Sequence, residues 1–550
     1  MKNNKRKTTK LMKWIIATGL TLSANVAQSQ VYHEECKEDL RTFMRQETNY
    51  HKLGLKVSDT LTWYDEESWI EKLTGITWIE TENSVLRIKE IDWSKLYWST
   101  NVFAKPDLDG ILKFNSPVLE YLNCTSSKLV ELDVTNNIEL IHLNFCYNNL
   151  SKLNINNNIK LIYLCFDNNN NLTELDLTNN ILLKTLRCAQ NNIAELDLTN
   201  NTMLKTLHCD GNNLIKLNLS NNIMLDTFTC SNNNLTELDV SNNPMLRLLV
   251  CSNNNLTELD VSNNVNLIRL DCSYNNLIKL VSNNVNMINL NCSNNNLTEL
   301  DVSNNIYLEQ LWCIYNNLTK LDISNNIYLK FLYCSYNKLT ELDVSNNNIY
   351  LEYLLCEHNK LKFSTLPIVN LPYDESYVYS PQDTIYGEII EHDKALDLSS
   401  EYEINGYITS FEWFDVTDGT EKAVIQPTNI NGVFYFTTEH INKRLRCKME
   451  NEQFPGYKDF GYPPFILVYE IDIITNIEEI VKENCIFYVG RNNYLLTNIY
   501  EAELFDILGN FINKHYDNSV IDMNKYAIGV YIIRYVDNDK NIRTEKVIKK

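Results

Sequence analysis

The chain has 550 residues and a formal charge of −21, with Lys and Arg outnumbered 49 to 70 by Asp and Glu. No basic cluster stands outside the first 13 residues, which excludes nucleic acid as the expected partner. Only 14 Gly and 10 Pro are present, so the turns must be built from another residue, and Asn is the evident one because it tolerates left-handed backbone.

The first element is a leader. Six Lys or Arg precede the apolar run "WIIATGLTLSANVA", which is shorter than the ~20 residues a bilayer-spanning helix needs and so reads as a signal-peptide core rather than an anchor. Ala27 and Ser29 are small residues at the two positions a signal peptidase reads, which places cleavage between Ser29 and Gln30 and the signal peptide at 1–29. Removing its six basic residues takes the charge from −21 to −27. No later stretch approaches 18 apolar residues, so no transmembrane segment is expected in the mature chain. Residues 30–115 are expected to close the open end of the repeat region beyond them: "KEDLRTFMRQ" has helical spacing, with Leu40, Phe43 and Met44 on one side, and Trp63, Trp69 and Trp78 add bulky core.

From 116 to 365 the sequence repeats. "CSNNNLTELDVSNN" occurs verbatim at Cys230, Cys251 and Cys292, and degenerate copies flank it with a period near 21. Aligned on Cys251, one unit reads LxxLxCxxNxL followed by xxLDVSNN, with Leu246, Leu249, Cys251, Leu256, Leu259 and Val261 apolar and Asn254 fixed. Twelve units open at Leu119, Leu140, Leu161, Leu183, Leu204, Leu225, Leu246, Leu267, Met287, Leu308, Leu329 and Leu351. The pattern resembles the leucine-rich repeat consensus with Cys in its third apolar slot, which implies a solenoid of about twelve coils. In each coil LxC forms a short inward-facing strand, the Asn caps backbone groups at the bend, and neighbours bury one another.

The slot holds Cys124, Phe145, Phe166, Cys188, Cys209, Cys230, Cys251, Cys272, Cys292, Cys313, Cys334 and Cys356. In this register Cys146 and Cys165 are neighbours of slot residues and face outward. Stacked strands bring slot cysteines near 4.8 Å apart, but side by side rather than turned toward each other, so the ladder reads as free thiols. A metal site is not expected there, because no CxxC occurs and no His stands beside the ladder. The redox state of Cys36, Cys146, Cys165, Cys447 and Cys485 stays open at this level.

Two flanking segments complete the chain. Over 372–471 alternating runs such as "YITSFEWFDV" and "KRLRCKME" signal antiparallel hairpins. Trp413 with Cys447 some 34 residues on resembles strands C and F of an immunoglobulin-like β-sandwich, although "KALDLSSEYEI" offers no second Cys for the core disulfide. Over 475–550, "ELFDILGN", "GVYIIRY" and "KVIKK" resemble the type A C-terminal sorting domain of the type IX secretion system, a small β-sandwich, although "CIFYVGRNNYLL" lacks the prolines with which that family often opens. The resemblance implies passage across the outer membrane by that machinery, and a product that is secreted or attached to the outer surface.

No catalytic constellation, glycine-rich phosphate loop or cofactor motif is found, and His142 and His208 stand on outward strand positions without a nucleophile in view. The repeated ELD carboxylates, such as Glu258 and Asp260, read as solvated charge. The informative letters are the outward strand positions. In the last three coils they place Trp312, Phe331, Tyr333 and Tyr353 together, extended by Tyr315 and Tyr336 at the strand exits, as one aromatic patch on the concave face. The expected function is therefore binding without a cofactor, an adhesin taking a protein or glycan ligand on a host or neighbouring cell. Other readings stay open: a structural surface spacer, a glycan-acting segment within 372–471, or a patch that is simply covered by the sandwich.

Overall fold

The structure is a computed structural model that describes residues 31–32, 34–46, 76–80, 85–93, 109–113, 115–347, 349–372, 376–391, 393–456, 465–474 and the strands beyond 485. Ser29, Gln30, Trp63, Trp69 and Cys485 lie outside these. The chain divides into two compact units, 1–256 with 263–267, and 257–262 with 268–550.

In the first unit seven three-residue strands, from Tyr121–Asn123 to Leu248–Val250, pair in parallel with exact positional correspondence, as in Thr206↔Thr227, Leu207↔Phe228 and His208↔Thr229. Their burial runs half-buried, buried, half-buried in most coils, so alternate residues face in and out as the period of a strand requires. The coil that opens at Leu225 buries Leu225, Phe228, Cys230, Leu235, Leu238 and Val240, each at most 7% exposed. At roughly 1.5–3 kcal/mol per large apolar side chain this supplies the coil's stability. A strand this short has no stability of its own, and only stacking removes that apolar face from water.

Two asparagine ladders fix the turns. At the first, Asn233 Nδ2 donates to the carbonyls of Cys209, Cys230 and Ser231 at 2.9, 3.0 and 3.3 Å, while its Oδ1 accepts the Leu214 N–H at 3.0 Å. At the second, Asn243 Nδ2 donates to the carbonyls of Leu219 and Asn222 at 3.1 and 2.9 Å. Both side chains are buried. The preceding Asp239 also has a bond to make, since its Oδ1 accepts the Ser241 N–H at 2.9 Å and closes the turn. These hydrogen bonds hold its carboxyl below the usual range. Reading the ELD acids as solvated charge alone missed this turn-closing role.

The slot cysteines are all buried thiols. Burial pushes Cys292 up to about 12, and Cys230 and Cys313 shift the same way. Cys146 and Cys165 do stand at non-slot positions, yet they are only 5% and 3% exposed and form a disulfide between adjacent coils. A ladder of inward side chains cannot make such a bond, whereas this off-slot pair turns its Cβ atoms together.

Before the first coil, the helix Glu34–Arg45 buries Cys36, Leu40, Phe43 and Met44, and Phe43 stacks on Trp93 at 5.3 Å. Strand Val85–Asp92 continues the parallel pairing through Glu90↔Tyr121, so Leu119, Leu122 and Cys124 of the first coil are fully covered.

In the second unit five strands pair in a parallel row, from Arg269–Asp271 to Tyr353–Leu355. The sequence places the end of the repeat at 365, but Tyr377–Val378 pairs with Leu354–Leu355 as a degenerate thirteenth coil, so the segment counted from 372 begins inside the solenoid. Gln382 takes the ladder position there: its Nε2 donates to the Cys356 carbonyl at 2.9 Å and its Oε1 accepts the Leu361 N–H at 3.2 Å. The longer Gln and the 23-residue offset hide this coil from a pattern built on Asn.

Beyond it lie two facing antiparallel groups. Ser410–Asp415, Lys443–Glu450 and Leu467–Ile474 form the centre of one, and Ala395–Asp397, Val433–Tyr435 and Thr428–Ile430 form the other. Trp413 sits directly opposite Cys447, a free thiol, and meets Phe434 and Phe436 edge-on at 5.3 and 5.5 Å. The last strand runs to Ile474, three residues past 471. The final segment contains a three-stranded sheet and a four-stranded antiparallel sheet, in which Gly529–Asp537 and Ile542–Lys549 carry "GVYIIRY" and most of "KVIKK".

Candidate functional site: an aromatic face on the last coils

Each coil bends just before its ladder Asn, where the backbone takes a left-handed conformation. Asn232, Asn253 and Asn294 occupy this position with φ near 56°. In the last coils Tyr315, Tyr336 and His358 occupy it instead, at φ 55°, 55° and 52°. Left-handed backbone costs roughly 1–2 kcal/mol for a residue with a Cβ, and Asn offsets part of this with local bonds that a ring cannot make. The result is a column of three rings, Tyr315 on Tyr336 at 4.2 Å and Tyr336 on His358 at 4.2 Å.

A second group rises from the strands Gln310–Trp312, Phe331–Tyr333 and Tyr353–Leu355. Phe331 stacks on Tyr353 at 5.2 Å, and Tyr333 meets Trp312 at 6.1 Å and Phe331 edge-on at 6.4 Å. Of the six residues named from the sequence, Trp312, Phe331, Tyr333 and Tyr353 meet one another and are half-buried, while Tyr315 and Tyr336 stack together and are 49% and 36% exposed. His358 is the residue that the outward strand rows missed. Its signal was available, since it holds the bend position of Tyr336 one coil later, and Asp383 Oδ1 lies 3.4 Å from its Nδ1.

The segment of antiparallel strands meets the last coil at the end of the stack. Phe363 and Tyr379, both buried, pack against Phe454 at 6.0 and 5.4 Å and Phe465 at 5.5 and 5.6 Å. Buried Glu401 accepts the Ser364 N–H at 3.0 Å. These contacts seal the last coil's apolar end.

Three other clusters have a local explanation. His208 does have a hydroxyl beside it, Thr229 Oγ1 at 2.9 Å from its Nδ1, which corrects the sequence reading. That hydroxyl is also bonded to the Asp210 carboxylate, so Thr229 bridges the other two, and the carboxylate is not placed behind the imidazole as a triad needs. In the first unit Tyr121, His142 and Tyr163 stack at 4.2 Å spacings, and burial holds His142 down at about 4. Asp167 lies near the sulfurs of Cys146 and Cys165, but those sulfurs are bonded to each other and Asp167 pairs with Arg187 at 2.9 Å.

No family model matches the chain, and no curated protein sequence matches it. Among solved structures, the functional domain of InlJ from Listeria monocytogenes, described as including a cysteine ladder, aligns at 30% identity with a TM-score of 0.57 over 74% of this chain and 88% of that one. The chain belongs to the leucine-rich repeat family. Two further leucine-rich repeat structures also align. One is the internalin InlF from L. monocytogenes, at 20% identity over 46% of this chain and 81% of that one, TM-score 0.42. The other is YopM from Yersinia enterocolitica, at 25% identity over 51% and 61%, TM-score 0.39. Among the described residues no helix is long and apolar enough to cross a membrane.

Proposed function

We propose that this leucine-rich repeat protein is an exported adhesin that recognises a protein on a host or neighbouring cell through the aromatic face of its last coils. One observation carries the reading: seven rings, counting His358, are gathered on consecutive coils, three of them at backbone positions where a ring is costly. Exposed contiguous aromatics on a rigid frame favour recognition, because the rings bring large contact area with little side-chain entropy to lose. Export through a signal peptide cut between Ser29 and Gln30, and passage by the type IX machinery through 475–550, complete the proposal on the strength of sequence resemblance.

Fluorescently labelled full chain is expected to bind cultured host cells or neighbouring bacteria saturably. Protease treatment of those cells is expected to abolish binding, and glycosidase treatment to leave it. Trp312→Ala and Tyr333→Ala should each weaken it by about tenfold, the scale of an interface hot spot. Equal binding by both variants would remove the aromatic face as the site, and no binding to any cell type would leave the structural-spacer reading.

A further inference from the structure

We propose that the aromatic face takes an arginine side chain of its protein partner, with Glu357 as the counter-ion. This rests on the binding reading above and names the chemistry of the partner.

In every coil one outward residue comes directly after the slot residue, Cys in ten coils and Phe in two. This row is mostly small residues, and three of its members are acids: Asp167, Asp210 and Glu357. The first two are answered by the next coil. Asp167 receives Arg187 Nε at 2.9 Å and the Ala189 N–H at 2.7 Å. Asp210 receives the Thr229 hydroxyl and the Ser231 N–H at 2.8 Å. In both cases the side-chain donor sits at the last strand position of the next coil.

Behind Glu357 that position is Val378, which has no side-chain donor. Its Oε2 is buried without a hydrogen-bond partner, as is the Ser335 hydroxyl in the same row one coil earlier. Leaving a buried carboxylate oxygen unpaired is costly, so a cation supplied from outside regains more here than at a solvated acid. Glu357 as a whole is half-buried.

The surroundings select which cation. The Glu357 carbonyl accepts the Tyr336 N–H at 3.0 Å, and the next residue is His358, so the carboxylate belongs to the coil edge that carries the Tyr315–Tyr336–His358 column. A flat guanidinium can lie on a ring face while its edge bonds a carboxylate, and an ammonium meets those two demands less well. Lys330, on the coil before, is already held by Glu309 at 2.8 Å. The chain's own Arg187 over Asp167 shows a guanidinium filling the equivalent place in this row. The overall charge of −21 favours approach of a basic partner.

The test uses the full chain labelled with 5-fluorotryptophan, with the Trp312 signal assigned by Trp312→Phe. N-acetyl-argininamide is expected to shift that signal saturably, and the neutral isostere N-acetyl-citrullinamide to leave it unmoved. Glu357→Gln should weaken the argininamide effect at least tenfold while leaving thermal unfolding unchanged or raised, because it removes an unpaired charge. Raising NaCl from 50 to 500 mM should weaken the unsubstituted chain several-fold, a readout that stands even if the variant folds poorly. Equal response to the two amides, no response to either, or an unaltered Glu357→Gln overturns the proposal. Cell binding that falls with Trp312→Ala but not with Glu357→Gln keeps the aromatic face and removes the arginine, whereas cell binding indifferent to both removes the face itself.

Discussion

Asn233 offers the sharpest check on how the solenoid is held together. Its amide group makes four bonds: three donated to the carbonyls of Cys209, Cys230 and Ser231, and one accepted from the Leu214 N–H. In Asn233→Ala the Cys209 and Cys230 carbonyls are still served by Asn212 and Asn254 at 3.1 and 3.0 Å. The Leu214 N–H has no other partner in the turn and becomes a buried orphan. One orphaned donor costs about 1–3 kcal/mol, and the lost carbonyl bonds bring the total to about 2–4 kcal/mol. Asn233→Asp keeps the acceptor but turns a carboxylate toward three carbonyl oxygens, so its loss at neutral pH should be larger. Its folded pKa would be raised, so the Asp variant should regain stability as pH falls below that value and lose it as pH rises, a pH dependence that the Ala variant lacks. Denaturant unfolding of the full chain, with hydrogen exchange at the Leu214 amide as the local probe, measures both. Exposed Asn232, one residue earlier, is the control, and its change to Gly should cost only tenths of a kcal/mol. A change below about 0.5 kcal/mol for Asn233→Ala, with the Leu214 amide still protected, would refute the view that the ladder is a principal support of the coil.

Two further outcomes are expected. Reduction of Cys146–Cys165, or the double change to Ser, should lower the stability of the first coils by about 3 kcal/mol, the chain-entropy value for a closed loop of this size, read by hydrogen exchange over 140–190. His142 is held down at about 4 against 6.5 in the unfolded chain, so the unfolded state binds the extra proton between those values. Stability should therefore fall as pH drops from 6.5 toward 4, and His142→Phe, which keeps a ring between Tyr121 and Tyr163, should flatten that part of the profile in urea titrations at several pH values.

Much of this protein was legible because a coil is a local object. Which residues face inward follows from the strand period and from the need of each coil to hide the same few side chains, so Leu246, Leu249 and Cys251 could be placed without knowledge of their neighbours. Inward rows also fix the outward ones, which is why Trp312, Phe331, Tyr333 and Tyr353 could be named as one face. What escaped depended on atoms from more than one coil. The second asparagine ladder at Asn243, the turn bond of Asp239 and the substitute role of Gln382 each rest on where a carbonyl or N–H lies after folding. The same holds for the Cys146–Cys165 bond, whose geometry depends on how adjacent coils turn two off-slot side chains.

The sequence alone thus determined the repeat, its register and the outward rows, because a periodic pattern must bury the same positions in every turn. Only the tertiary structure decided which polar groups are answered. Asp167 meets Arg187 from the next coil and Glu357 meets Val378, a difference set by residues about 20 positions away that stacking brings alongside.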